Sequence, residues 1–293
     1  MDRVFFFHGY DVNPSTHLGL LQSLATDNDA LLVSFAAQQY QGNRELPAEK
    51  LVEKQQENPH YSTLKFRHGP ITSQWNETKD YRSDVNGSDV DSNQIYTVAA
   101  QHQLHAMQGW MPKIIPSPQD LAAIFNAESL PSHYDNSLQA DEKLLIVGHS
   151  AGGHLISAML VEAAKKPEEN SHIWRENTTM VILSGANPVD RQSLPEFPTT
   201  KPNIVFIQPE NDAVIPLKNA QEAAKMWADA GFTVNFVAGD WGVPKLGNHD
   251  ISPQAIEVMD CIIKGKGYDK QSIKPANQPS NLIKSSSSHA FRL

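Results

Sequence analysis

Short apolar, β-branched or aromatic runs recur along the chain, and the stretches between them carry helical spacing instead. The runs are VFFF from Val4, ALLVSF from Ala30, KLLIV from Lys143, MVILS from Met180, NIVFI from Asn203 and FTVNFV from Phe232. A strand that is apolar without alternation suits burial on both faces, the environment of a parallel sheet covered by helices on either side. The segments between predict those helices. They are HLGLLQSL from His17 to Leu24 after Pro14-Ser15-Thr16, LISAMLVEAAKK from Leu155, LKNAQEAAKMWADAG closed by Gly231, and PQAIEVMDCIIKG opened by Ser252-Pro253. Serine or threonine accepts from the free amides of a first turn, proline fits the first helical position, and glycine adopts the left-handed conformation that follows a last turn. Alternating strands and helices predict a mostly parallel, doubly wound α/β sheet over residues 1–265.

Two stretches break the alternation. Residues 36–116 are rich in Gln, Asn, Asp and Ser, with scattered aromatics including Tyr61, Phe66, Trp75, Tyr81, Tyr96 and Trp110. A structureless loop of that length is uncommon, so an insertion with helices of its own, packed over one edge of the sheet, is expected after the second strand. Its aromatics either line a pocket, making the insertion a lid or side wall, or fill a small core of its own. Within it, SDVNGSDVDSN from Ser83 to Asn93 has the look of a calcium loop but lacks the final glutamate and the EF-hand spacing, so a solvated loop without metal is expected. Residues 266–293 are polar, Pro-bearing and poor in core formers, which predicts a mobile C-terminal tail. That tail has a basic excess, so contact with an anionic membrane or an export machine is an alternative to a simple solvated end.

Composition narrows the function classes. The chain has 293 residues, 40% of them hydrophobic, enough for one sizeable core. Lys and Arg total 24 against 33 acidic residues, a net charge of −9 without a long basic run, so no nucleic-acid partner is expected. The single cysteine, Cys261, cannot form an internal disulfide. MDRVFFFHGY has too short an apolar run for a signal peptide, and no stretch is long enough to span a bilayer. A soluble cytoplasmic protein without an integral membrane segment is the expectation, and the oligomeric state is not legible.

Chemistry enters at LLIVGHSAGGHL, Leu144 to Leu155. Gly148-His149-Ser150-Ala151-Gly152 matches G-x-S-x-G directly after a buried strand pattern and directly before a helical one. So sharp a turn strains the serine backbone, needs small residues two positions to either side, and presents the hydroxyl at the carboxyl end of the sheet. A serine that merely makes a tight turn is the alternative. A nucleophilic serine needs a base and a group that orients the base. Asp212 follows the strand NIVFI in the loop QPENDAVIP, and His249 follows the last apolar run in AGDWGVPKLGNHDIS. Glu210, Asp190 and Asp240 are other candidates for the acid, and Asp212 is also placed to make an Asx-turn. His149 and His154 should point away from the hydroxyl and pack, while His8 should bond to backbone.

These residues resemble the α/β-hydrolase superfamily from Val4 to about Gly265, apart from the insertion. GHSAGG is similar to the nucleophile elbow of its esterase and formamidase members, NDAVIP to its acid loop and GNHD to its histidine loop, in the superfamily's Ser, acid, His order. His8-Gly9 resembles the dipeptide that ends the superfamily's third strand, which implies a sheet lacking the first two N-terminal strands. The resemblance also implies oxyanion-hole amides at Tyr10 and Ala151, with Ser150, Asp212 and His249 as a triad. HGYDVN matches neither the HGGG of hormone-sensitive-lipase-like esterases nor the HGGxW of kynurenine formamidases, so the substrate class stays open. The implied activity is cleavage of a carboxylic ester or thioester in a small-molecule or lipid acyl substrate, through an acyl-enzyme, with no cofactor and no metal. A formamidase, amidase or peptidase of the same fold is the alternative. A non-catalytic hydrolase-like binding protein is the remaining reading.

Overall fold

The structure, a computed structural model, describes residues 2–9, 17–28, 30–36, 61–65, 141–186, 191–241, 247–268 and 271–273, together with helical positions 100, 101, 103, 104 and 107. Eight strands form one sheet: β1 (Arg3–Phe7), β2 (Leu31–Ala36), β3 (Tyr61–Lys65), β4 (Leu144–His149), β5 (Thr178–Leu183), β6 (Asn203–Pro209), β7 (Val234–Gly239) and β8 (Gln271–Ile273). Their order is β3-β2-β1-β4-β5-β6-β7-β8. Every neighbouring pair is parallel except β7 with β8. Among the described residues, the α-helices with described bounds are α1 (Leu18–Asp27), α2 (Ala151–Lys165), α3 (Leu217–Asp229) and α4 (Pro253–Lys264).

The apolar runs of β1, β4, β5 and β6 become strands buried along nearly their whole length. Along β1, Val4 and Phe6 join the cluster that holds Leu21 and Leu24 of α1 and Met259 and Ile263 of α4. Phe5 and Phe7 join the opposite cluster with Ile156 and Leu160 of α2 and Ala224 and Trp227 of α3. Each fully buried phenylalanine contributes roughly 1.5–3 kcal/mol relative to an exposed one, so both faces of this strand stabilise the fold. The helix ends follow the local chemistry. Ser252 accepts the Ala255 amide at 3.2 Å with Pro253 in the first turn, and Gly231, at φ 84, takes the left-handed position beyond α3.

The structure departs from the sequence pattern in three places. Helix α2 starts at Ala151, ahead of the apolar spacing at Leu155, because Gly152 and Gly153 are helical without contributing a side chain to the pattern. The polar YSTLK becomes β3 at the outer edge of β2, where one-sided pairing does not require an apolar run. Third, within the stretch 266–293 expected to be a mobile tail, Gln271–Ile273 hydrogen-bond antiparallel to β7, covering a row of backbone donors and acceptors that an edge strand would leave open, while residues 274–293 lie outside the described residues. Ala100, Leu104 and Met107 of the insertion are buried in the same cluster as α2. Asp190, Trp75, Tyr81, Tyr96, Trp110 and the segment 83–93 lie outside the described residues, as does Tyr10. No described helix is long and apolar enough to cross a membrane.

Candidate active site

Strand β4 lies beside β1 in the middle of the sheet, and the chain winds outward from β1 to β3 on one side and from β4 to β7 on the other. Loops that leave the carboxyl ends on either side of such a reversal part and open a crevice. Ser150 stands at that point, the first residue after β4, with φ 55 and ψ −117. A non-glycine residue at positive φ is strained, and the junction is held by close packing. A Cβ on Gly148 would lie 2.2 Å from the Gly152 carbonyl oxygen, and one on Gly152 would lie 2.1 Å from that of Phe7. The elbow therefore needs glycine at both positions. Ser150 opens α2 but does not cap it with its side chain; its hydroxyl is engaged elsewhere.

That engagement is with His249. His249 Nε2 lies 2.8 Å from Ser150 Oγ, and His249 Nδ1 lies 2.9 Å from Asp212 Oδ2 and 3.0 Å from Oδ1. The carboxylate accepts from Nδ1–H, which leaves Nε2 bare to accept from the serine hydroxyl. The Asp212 side chain is fully buried and His249 is 13% exposed, so the ring alone faces solvent. Burial pushes the Asp212 carboxyl up, but the His249 hydrogen bond and the Ile215 and Val214 amides outweigh it and hold the group below the ordinary carboxylate range. Oδ1 accepts those amides at 2.9 and 2.8 Å, and Oδ2 accepts Gln208 Nε2 at 3.0 Å. Asp212 is thus an Asx-turn residue and the partner of the histidine at once.

A central strand delivering a strained serine into a helix, an acid after β6 and a histidine after β7 now stand together on one parallel sheet. This is the α/β-hydrolase fold. Its first strand occupies the place of the third in the full α/β-hydrolase sheet. Among solved structures the chain is similar to Arabidopsis thaliana SOBER1 at 18% identity and TM-score 0.47, over 90% of this chain and 98% of that one. It is similar to esterase PE8 at 15% identity and TM-score 0.47, over 90% of this chain and 92% of that one. Against Zea mays acyl-protein thioesterase 2 the identity is 13% and the TM-score 0.44, over 90% and 93%. No protein-family model and no curated protein matches the sequence. Strand order and loop placement, not these likenesses, carry the α/β-hydrolase assignment.

The other candidates fall elsewhere in this α/β-hydrolase sheet. Glu210 and Asp240 are exposed, and Asp240 accepts from Asn211 Nδ2. Ala151 begins α2, where first-turn amides have no partner within a helix. His8 Nδ1–H donates to the Gly9 carbonyl at 2.7 Å, the backbone bond expected of it. A Cβ on Gly9 would lie 3.1 Å from Ser150 Cβ, so the loop after β1 runs directly against the elbow. The His154 backbone amide donates to the Ser150 carbonyl at 3.1 Å; the His149 ring does more than pack, its Nε2 donating to the His249 carbonyl at 2.7 Å. His17 pairs with Asp250 beside it. Sequence reasoning missed both contacts, which join residues separated by |i−j| of 100 and 233. No local pattern marks them. Among the described residues no group of three or more His, Cys, Asp or Glu is arranged to hold a metal ion.

Proposed function

We propose that the chain is a serine hydrolase that cleaves a carboxylic ester or thioester by way of an acyl-enzyme. The observation that carries this reading is the unbroken hydrogen-bonded line from Asp212 through His249 to Ser150, contributed by three loops at one end of the sheet. Ser150 Oγ attacks the substrate carbonyl carbon as His249 Nε2 takes its proton. Asp212 keeps the proton on Nδ1 and stabilises the imidazolium. The carbonyl oxygen, now an anion, is held by the Ala151 amide and, from the loop after β1, by the Tyr10 amide; one such donor is worth about 3–4 kcal/mol in the transition state. When the tetrahedral adduct collapses, the leaving alcohol or thiol departs with the proton from His249. Water attacks the acyl-serine by the same route, passing a proton to His249, which returns it to Ser150 Oγ as the second adduct collapses and the acid leaves. The two steps balance with these groups and water alone.

In the same reading residues 36–116 wall or cover the acyl pocket and residues beyond 265 are accessory. Deleting residues 66–99, which spares β3 and the buried Ala100, Leu104 and Met107, should change acyl-chain-length preference in the folded protein. The central test replaces Ser150 with alanine. Labelling by a fluorophosphonate probe should vanish with the circular dichroism spectrum unchanged, and a variant that still labels refutes the nucleophile. Wild-type enzyme should turn over chromogenic acyl esters and thioesters; activity confined to formyl amides would replace the bond class with a formamidase.

A further inference from the structure

Four consecutive residues of the histidine loop are each tied to a neighbour. The Gly247 carbonyl accepts the Ala213 amide at 2.9 Å. Asn248 Nδ2 donates to the Asn211 carbonyl at 3.3 Å. The His249 carbonyl accepts from His149 Nε2–H at 2.7 Å, and the Asp250 carboxylate pairs with His17 Nε2. Two ties reach the acid loop, one reaches the elbow and one reaches the turn before α1. They hold a backbone that is left-handed at Gly247 (φ 62) and Asn248 (φ 61), immediately ahead of the base.

His149 is the member with no evident packing reason to be an imidazole. It is 2% exposed, and its ring centroid lies 5.2 Å from those of His17 and His249. A carbonyl only accepts, so Nε2 carries the proton and Nδ1 is bare. That Nδ1 has no hydrogen-bond partner, a cost a phenylalanine or leucine would avoid. Burial, with His17 beside it, lowers its pKa to about 3, which keeps it a neutral donor of one tautomer across the neutral range. What the imidazole adds over an apolar ring of similar size is the bond to the backbone of the base.

We propose that His149 is a positioning residue: its bond to the His249 carbonyl sets the height and tilt of the His249 ring over Ser150, with the His17–Asp250 pair bracing the far side. The inference rests on the hydrolase reading above. Loss of the donor frees the backbone beneath the base and leaves the acyl pocket alone, so rate should suffer and substrate affinity should not. A displacement of about 1 Å at a reacting group costs on the order of 100-fold in rate, which sets the upper scale of the effect.

His149→Phe keeps the ring and removes the donor, whereas His149→Gln restores an N–H of comparable reach. Two quantities are measured in the folded proteins: the fluorophosphonate labelling rate per active site, together with kcat and KM, and the titration of the His249 ring by NMR. The groups facing that ring are Asp212, His149 and His154, so the titration reports its placement among them. His149→Phe should slow labelling and kcat by about 10- to 100-fold with KM near wild type and should displace the His249 titration, and His149→Gln should recover most of both. Should His149→Phe not fold, His149→Met, flexible and equally without a donor, takes its place in the comparison. Equal labelling rates and superimposable titrations in wild type and donor-free variant would overturn the positioning role and leave the hydrolase reading standing. A loss that His149→Gln does not recover also overturns it, because shape rather than the donor would then matter. Wild-type protein that never labels at Ser150 overturns both.

Discussion

In the proposed hydrolase, Asp212 serves structure and chemistry together. Its Oδ1 accepts the Val214 and Ile215 amides and so shapes the loop, while both oxygens face the Nδ1–H of His249. Asparagine in its place can still accept the amides through its oxygen, but its NH2 then confronts Nδ1 and selects the tautomer that cannot take a proton from Ser150. Asp212→Asn should therefore lower kcat by about 10³–10⁴-fold in the folded protein, and the melting temperature should fall as well, because the new NH2 also meets the Gln208 Nε2 donor and the depressed carboxylate is gone. Asp240→Ala removes an exposed carboxylate and should leave kcat within about twofold, as surface changes usually do. A larger loss in Asp240→Ala than in Asp212→Asn would reverse the assignment of the acid.

The junction of β4 and α2 is the element on which this geometry depends. Strand and helix approach so closely there that the atoms facing Gly148 and Gly152 are backbone, which cannot rotate away as a side chain can. Gly152→Ala should cost about 1–3 kcal/mol in urea unfolding and lower activity in the fraction that folds, since β1 and α2 must separate to admit the methyl group. Gly231 is a control of a different kind. A Cβ added there would meet only Lys201 Nζ, at 3.9 Å, and the φ of Gly231 is 84. Gly231→Ala should cost about 1–2 kcal/mol through left-handed strain alone, with kcat per folded molecule unchanged. If the two alanines behave alike in both measurements, close approach at the elbow is not what glycine provides.

Across the whole molecule, buried imidazoles make stability depend on pH. Burial lowers His8, His154 and His172 from 6.5 to about 4, and His149 from 6.5 to about 3. Between the unfolded and folded values the unfolded chain binds a proton that the native state refuses, so native stability falls as pH drops from about 6.5 towards 4. Each such group contributes about 1.4 kcal/mol per pH unit in that window. Asp212 and Asp250 act lower down. Their folded values are depressed, so their stabilisation is present above the ordinary aspartate range and is lost only as pH falls through those depressed values. Urea midpoints should thus decline from about pH 6.5 to about 4.5, before Asp212 and Asp250 are protonated, and His172→Leu, remote from Ser150, should flatten the slope by about one proton's worth. A level profile between about pH 7 and about pH 5 would contradict the burial of these rings as neutral bases.

Strands β1, β2 and β4 to β7, helices α1 to α4 and the serine between strand and helix were legible because they depend on local pattern: apolar runs, helical spacing, caps and small residues at a sharp turn. β3 and β8 were not, since a polar edge strand is recruited by the open hydrogen-bonding row beside it and needs no pattern of its own. Ser150, Asp212 and His249 stood out through their places after β4, β6 and the apolar run of β7, but the choice of Asp212 over Glu210 and Asp240 required knowing which carboxylate reaches His249 Nδ1. The ties from His149 and His17 to residues 249 and 250 belong wholly to the tertiary structure. A period in the chain records what each residue does with its near neighbours, whereas contacts between distant loops exist only once the sheet has brought those loops to one end.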